Sequence, residues 1–448
     1  MTSANWFSVI LAAGLGTRMK SRTPKVLHPV AGRPMLAHAV SAAQQAGTSG
    51  VAIVAGPEMQ AGTTSLQRIA AEAQIHVQAD RLGTAHAVLS AKPALLEQSG
   101  NHIVVLYGDT PLLRPETLTQ LVAALDNGAA VAILGFETPT PTGYGRILRN
   151  EAGDVIAIRE EKDASDAERA VTLCNSGVMG FRAGHCLDLI DRIGNDNAKQ
   201  EYYLTDAVEL ARPGGLTVAA VTCDEAEVMG VNDRVQLAAA EAVMQSRLRE
   251  AAMRGGVTMI APETVTMSWD TQLGQDVTVE PNVFFGPGVT VEDDAQIHAN
   301  SYLEQAIIRK GAVIGPFARL RPGADIGEGA KIGNYVEVKN ATVETGAKIN
   351  HLAYVGDARI GARANLGAGT IICNYDGFKK SFTEIGDEAF IGSNSALVAP
   401  VKIGRGAYIG SGSVIVREVE PDALAVERSH QRQIPGWAAR KRQQNQKP

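Results

Sequence analysis

The chain has little cysteine, few aromatics, little net charge and no long apolar run. Its four cysteines, Cys174, Cys186, Cys223 and Cys373, are scattered over 448 residues without a Cys-x-x-Cys pair. That spacing supports neither a disulfide scaffold nor a zinc site, and the thiols read as reduced and mostly buried. Lys and Arg number 42 against 48 Asp and Glu, a net charge of −6. No global field therefore favours nucleic acid as a partner. The apolar run Phe7–Ala13 has no basic lead-in and stops at Gly14-Leu15-Gly16, too short for a signal peptide or a membrane span. Nothing later approaches ~20 consecutive apolar residues. A cytoplasmic protein with no membrane partner is expected. What the chain has in surplus is glycine, 46 residues, or about 10% against the usual ~7%.

Two patterns divide the sequence. Up to about residue 228, short β-rich runs (Val9–Ala13, Val51–Val54, Ile103–Tyr107, Val131–Phe136, Val218–Val221) alternate with helical stretches such as Pro34–Ala46 and Glu116–Asn127. That alternation predicts an α/β domain with a mostly parallel sheet and a ligand crevice at the carboxyl ends of its strands. Residues 232–254 are rich in Ala, Leu, Met, Glu, Gln and Arg and stop at Gly255-Gly256, which predicts one connecting helix. The expected division is 1–231, a connector at 232–256, and 257–448 with a C-terminal tail.

Beyond about residue 265 the period becomes six. Aliphatic side chains or Phe recur at Leu273, Val279, Phe285, Val291, Ile297 and Leu303, and onward to Ile415. Three steps are five, at Ile308, Val343 and Ile360, and one gap, Ile372 to Ile385, spans 13. A helix cannot give six and a strand gives two. A hexapeptide solenoid does: each hexad is a short strand and a corner, three hexads make a coil, and the aliphatic residue points inward. Glycine suits corners where a Cβ would clash or φ must be positive. The long gap must leave the wall as a loop, and it carries Asn374-Tyr375-Asp376, two Lys and two Phe.

The first strand runs into Leu11-Ala12-Ala13-Gly14-Leu15-Gly16-Thr17-Arg18-Met19, followed by Pro24-Lys25. This is neither a dinucleotide fingerprint nor a P-loop. A Gly turn with two cations nearby suits a triphosphate. The string resembles the nucleotide-sugar pyrophosphorylases. Further matches follow in order: Gln78…Leu82-Gly83-Thr84, Tyr107-Gly108-Asp109, Gly143-Tyr144-Gly145-Arg146, Glu160-x-Lys162, Asn175-Ser176-Gly177 and Gly230-Val231-Asn232. The resemblance implies a Rossmann-like nucleotidyltransferase domain that takes UTP. It implies a nucleotide-sugar site of Leu11, Ala12, Ala13, Gly14, Lys25, Gln78, Gly83, Thr84, Tyr107, Gly108, Asp109, Gly145, Glu160, Asn175 and Asn232. Gln78 and Gly83 would read uracil. Gly145, Glu160 and Asn175 would hold the sugar. Asp109 and Asn232 would hold Mg²⁺, and Arg18 and Lys25 would neutralise the phosphates. Relatives commonly carry Lys where this chain has Leu15.

The solenoid resembles left-handed parallel β-helices, which are often trimeric acyltransferases. Polar residues interrupt its hexads at Arg319-Leu320-Arg321, Lys339, Asn350-His351-Leu352-Ala353-Tyr354, Asn365 and Cys373-Asn374-Tyr375. With these, nearly the whole chain resembles the bifunctional family that joins glucosamine-1-phosphate acetyltransferase to N-acetylglucosamine-1-phosphate uridylyltransferase. The resemblance implies His351 as general base, since an imidazole titrates near neutrality and the substrate ammonium must lose a proton. It assigns glucosamine-1-phosphate to Arg321, Lys339, Tyr354 and Asn365. It assigns acetyl-CoA to Ala368, Asn374, Tyr375, Ser393, Ser411 and Arg428. It also implies a homotrimer built through the β-helix. A pyrophosphorylase whose solenoid only oligomerises, and a non-catalytic regulatory subunit, are the rival readings. The tail from Trp437 adds Arg440, Lys441, Arg442 and Lys447.

Overall fold

A computed structural model describes residues 5–98 and 100–445; Lys447 lies outside them. The chain divides into two compact units after Arg247.

The first unit is built on a twisted sheet. Its order is Val218–Cys223, Val131–Glu137, Leu173–Phe181, His102–Tyr107, Trp6–Ala12, Val51–Ala55 and Gln74–Val77. Trp6–Ala12 is buried at every position, as a central strand covered on both faces must be. Separate apolar clusters occupy the two faces, one around Val9, Val105 and Ile133, the other around Ile10, Leu106 and Leu134. These strands are parallel except Leu173–Phe181, which pairs antiparallel with both neighbours and with Gly145–Arg149, itself antiparallel to Val155–Arg159. The sequence pattern did not single out this strand. Asn175-Ser176-Gly177 interrupts its apolar run, and the register shifts between Asn175 and Met179 there.

One helix, Arg234–Arg254, follows the sheet. Ala240 joins Val30, Met35, Leu112 and Val231 in a small apolar cluster. Further along, Leu248 and Ala252 pack against the core of the second unit.

That second unit is a parallel β-helix. Each strand pairs with the one a coil away, 18 residues on at Thr278↔Gln296 and 17 at Ile297↔Ile314. One wall is a sheet of 10 short strands from Thr258–Met259 to Leu424–Ala425. The other two walls merge into a 15-stranded sheet. They merge because Glu337–Val343 and Tyr354–Ile360 keep their pairing on both sides of a tight corner, turned by Asn340 in one and Asp357 in the other, both at positive φ. Those are two of the five-residue steps; the third, to Ile308, turns in the same way at Gln305, also at positive φ.

The aliphatic series is buried from Val279 to Ile415, with Leu273 at its open end only partly so. A second inward row, not anticipated, lies two residues before each aliphatic position. It holds Ala295, Ala306, Ala312, Ala318, Ala324 and Ala330, with Thr370, Thr383, Ser395 and Ser413 further on. Side chains two apart in a strand share a face, and the one nearer the corner has room only for a small group. The glycines after the aliphatic residues serve close approach. A Cβ on Gly327 would sit 2.6 Å from the carbonyl carbon of Glu344 in the next coil. The left-handed corner positions are shared between other glycines, such as Gly288, Gly311 and Gly329, and Asn or Asp, such as Asp276, Asn282, Asp294 and Asn300.

Ile332 is fully buried at mid-solenoid and stacks on Ile314 and Ile349. Ile332→Ala should cost ~2–5 kcal/mol, read as a lower urea midpoint. Lys331→Ala, at the exposed neighbour, should stay within ~0.5 kcal/mol.

Candidate functional sites

In the first unit, strand register sets the site. Leu11 lies opposite Tyr107, Ala12 opposite Ala55, and Ala55 opposite Val77. The residues just beyond these ends, Ala13, Gly56, Gln78 and Gly108, therefore stand side by side along the carboxyl edge of the sheet. A cavity of ≈ 280 Å³ opens there. It is lined by Leu11, Ala12, Ala13, Gly14, Lys25, Gln78, Gly83, Thr84, Tyr107 and Asp109, with Val26, Arg81, Ala87 and Glu201.

Lys25 sits at the polar end. Its ammonium donates to the Asp109 carboxylate and, at 3.1 Å, to the Asn232 side-chain oxygen. These two oxygen donors thus already share one cation, and hard oxygen donors are what Mg²⁺ takes. Among the described residues no cluster of three or more His, Cys, Asp or Glu could hold a metal. Gly16 makes room for this arrangement: its φ is +61°, and a Cβ there would lie 2.6 Å from Lys25 Cβ. At the other end, Gln78 is buried and its amide nitrogen donates to the Gly83 carbonyl at 3.2 Å. Gly83 has φ +120°, and the backbone of Tyr202 passes where its Cβ would be.

Tyr107 connects this cavity to a second group. Burial first, then the charges of Asp109 and Glu160, push its phenol far above the usual range, although Thr84 hydrogen-bonds to it. Its ring packs against Gly177, and beyond lie Asn175 and Gly145, paired in register, with Glu160 beside Gly145. Burial raises the Glu160 carboxyl, partly offset by Lys199 and by a hydrogen bond from Thr205.

In the β-helix, His351 is exposed at the end of Lys348–His351. Its Nδ1 lies 2.5 Å from Asn334 Oδ1, one coil back in register. An amide oxygen only accepts, so Nδ1 is the donor, the tautomer that in a neutral ring leaves the lone pair on Nε2. The two residues border a groove of ≈ 580 Å³ with Phe317 and Tyr335, whose rings stack at 5.1 Å. Phe317, Tyr335 and Leu352 all have positive φ, at a corner where other coils place Asn282, Asn300 or Gly369. Bulky residues are strained there, and such strain collects at functional sites.

A polar cluster lies on the adjoining wall. Arg321 donates to Glu337 at 2.7 Å, and Glu337 pairs in register with Tyr354. Lys339 lies against Lys380 of the inserted loop, and that second ammonium, ahead of burial and Arg321, pulls its pKa down. Asp357 accepts from both Asn340 and Asn374. Burial would raise its carboxyl, but these hydrogen bonds with Lys380 and Lys339 outweigh burial and hold it low. Tyr375 pairs with Lys380 across the loop, and its hydroxyl donates to the Gly377 carbonyl. The corner past His351 continues as a ladder. Gly369 N–H donates to the His351 carbonyl, Asn394 N–H to Ala368, Gly412 N–H to Ser393, and Arg428 to the Ser411 carbonyl. Successive coils rise ~4.8 Å, so the ladder climbs about 14 Å from His351 to Ser411.

Residues 8–171 match the MobA-like NTP transferase domain, and residues 305–340 and 382–417 match the bacterial transferase hexapeptide (six repeats). The chain is 58% identical over 448 residues to the bifunctional protein GlmU of Azorhizobium caulinodans, covering 100% of both chains. It is 57% identical over 449 residues to that of Xanthobacter autotrophicus, again covering 100% of both. With that of Paramagnetospirillum magneticum it shares 54% over 446 residues, 99% of this chain and 98% of the relative. The chain belongs to the bifunctional GlmU family. It is an acetyltransferase and uridylyltransferase of UDP-GlcNAc synthesis.

Of the GlmU nucleotide residues expected from sequence, ten share the cavity lining and Asn232 reaches it through Lys25. Gly108 instead faces Leu36 and Val26, where a Cβ would be tight. Arg18 is exposed on the turn Thr17–Met19 and lines no part of the cavity. Leu15 is exposed beside it. Asn365 is half-buried in the wall next to Lys348. Residues the sequence did not point to are Arg81, Glu201, Thr205, Asn334 and the Phe317–Tyr335 stack. Asn334 had one available signal, its place 17 residues before His351, one coil away.

Asp206 lies near Glu160. Burial, then Glu209 and Glu160, push its carboxyl up to about 6. A raised folded-state pKa means the fold favours the protonated acid. Its stabilisation is complete below the unfolded value and fades as pH rises through about 6. Asp206→Asn should therefore gain stability over wild type as pH rises from about 4 to 7, by on the order of 1 kcal/mol. Thermal melts across that range check this.

Proposed function

We propose that the cavity between Gly14 and Gln78 takes UTP and that the groove at His351 takes glucosamine-1-phosphate. Gln78 and the Gly83 turn read the uracil edge. Gly145, Glu160 and Asn175 hold the sugar of N-acetylglucosamine-1-phosphate. Its phosphate oxygen attacks the α-phosphorus of UTP in line, and pyrophosphate leaves. No covalent intermediate is needed, so alignment and charge neutralisation carry the step. Asp109 and Asn232 would hold Mg²⁺, which when bound supplies positive charge to the phosphates. Lys25 then turns to the triphosphate, and exposed Arg18 meets it from the turn.

In the second reaction, His351 Nε2 takes a proton from the substrate ammonium, and the amine attacks the acetyl carbonyl. Asn334 holds the imidazole in the tautomer this needs, and that hydrogen bond is the observation carrying the assignment. Arg321 and Lys339 grip the sugar phosphate, joined by Lys380. Two ammonium groups in contact are a natural seat for a dianion. Tyr354 and Asn365 orient the sugar. Acetyl-CoA follows the corner ladder, through Ala368, Ser393 and Ser411 to Arg428, with Asn374 and Tyr375 over its reactive end. The Arg428 contact to Ser411 is to the main chain, so the serine hydroxyl is not needed for it.

We also propose a homotrimer. His351, Tyr375 and Phe378 are all exposed, Phe378 at 95%. Neighbouring copies would close the acetyl site around them. Four free cysteines suit a cytoplasmic enzyme, and among the described residues no helix is long and apolar enough to cross a membrane.

His351→Ala should lower acetyl transfer by ~10²–10⁴-fold, the usual weight of a general base, and leave uridylyl transfer intact. Asp109→Ala should do the reverse. A coupled assay with UTP, Mg²⁺, acetyl-CoA and glucosamine-1-phosphate, followed separately for acetyl and pyrophosphate release, tests both. Loss of both activities in either variant refutes the two-site assignment.

A further inference from the structure

Arg81 belongs to none of the roles assigned above, yet it stands at the wall of the nucleotide cavity. Its Nε donates to the Ala13 carbonyl at 2.6 Å, and its Nη2 pairs with Glu58 at 2.5 Å. Three separate segments build this seat. Ala13 follows the strand Trp6–Ala12, Gly56 and Glu58 follow Val51–Ala55, and Arg81 follows Gln74–Val77. These strands are neighbours in the sheet. Gly56 is part of the seat, because a Cβ there would collide with Arg81 Nη2 and lie 2.5 Å from Glu58 Oε1.

The peptide joining Ala13 to Gly14 is planar and trans, so its C=O and N–H point in opposite directions. Capture of the Ala13 oxygen by Arg81 therefore aims the Gly14 N–H the other way. Gly14 lines the cavity, and among the described residues its N–H has no hydrogen-bond partner. Gly14 is a residue whose backbone is otherwise free to turn. Glu58 meanwhile neutralises the guanidinium, so Arg81 is bound to protein on two sides.

We propose that Arg81 is a positioning residue for uridylyl transfer: it locks the Ala13–Gly14 peptide so that the Gly14 N–H is presented to an acceptor oxygen of the uridine nucleotide. This rests on reading the cavity as the UTP site. Arg81 acts through the peptide, with Glu58 and Gly56 as its support.

Steady-state kinetics of uridylyl transfer on the full chain test it. Arg81→Met should raise KM for UTP ~10-fold, the weight of one hydrogen bond to a charged or strongly polar partner. Its kcat should change less than ~3-fold, while KM for N-acetylglucosamine-1-phosphate and the acetyl-transfer rate stay at wild-type values. Gly56→Ala, which leaves Arg81 in the sequence and disturbs its seat, should shift KM for UTP in the same direction. Arg81→Lys keeps the charge and loses the rigid fork, so it should stay near Arg81→Met. Full recovery by Lys would show a charge acting directly on phosphate and would overturn the proposal. An unchanged KM for UTP in Arg81→Met, with Asp109→Ala still inactive, overturns the proposal and leaves the site in place. Unchanged uridylyl transfer in both variants removes the site assignment as well.

Discussion

In-register parallel pairing is the constraint on which both sites depend. A parallel strand hands its register to its neighbour, so residues at the same height end side by side however far apart they lie in the chain. In the first unit this places the residues after Ala12, Ala55, Val77 and Tyr107 along one edge. In the second it places Asn334 under His351 and Glu337 under Tyr354. Register gathers most of each site's parts, and the loop after Cys373 adds Lys380 to the second. The sheet positions them, and packing on both faces keeps the sheet in register.

The two units use the constraint differently. The sheet offers one usable edge, and its chemistry is concentrated where strands end and glycines let chain segments pass close by. Lys25 against Gly16, Tyr202 against Gly83 and Arg81 against Gly56 are examples. The solenoid repeats its edge at every coil. The site proposed there coincides with departures from the repeat: bulky residues in left-handed corners at Phe317, Tyr335 and Leu352, and one inserted loop that brings Lys380 to Lys339. An unbroken repeat would present the same surface everywhere and single out no coil.

How much of this was legible from sequence follows from the same distinction. The aliphatic hexads were readable because one residue class recurs at one spacing and faces one core. The second inward row was not, because Ala, Thr, Ser and Val share a size and not a chemistry. The cavity lining was readable where motifs are contiguous, as in Leu11–Gly14 and Tyr107–Asp109. Arg81 was not, because its meaning lies in Ala13 and Glu58, which only the sheet brings near. The antiparallel strand Leu173–Phe181 was hidden by the polar bulge that makes it useful, since Asn175 faces Gly145 there.

The strands Glu337–Val343 and Tyr354–Ile360 carry a consequence of their own. Each keeps its pairing on both sides of a one-residue corner, at Asn340 or Asp357, and between them they hold Lys339, Tyr354, Asp357 and the partner of Arg321. Along most of the solenoid an extra corner residue could bulge outward and be absorbed locally. Here one more residue would lengthen a tight corner and pull apart Asn340, Asp357 and Asn374, which these corners stack into hydrogen-bonding contact. Chain length at these two coils is thus constrained as tightly as any side chain: each corner can change its residue, but it cannot gain one.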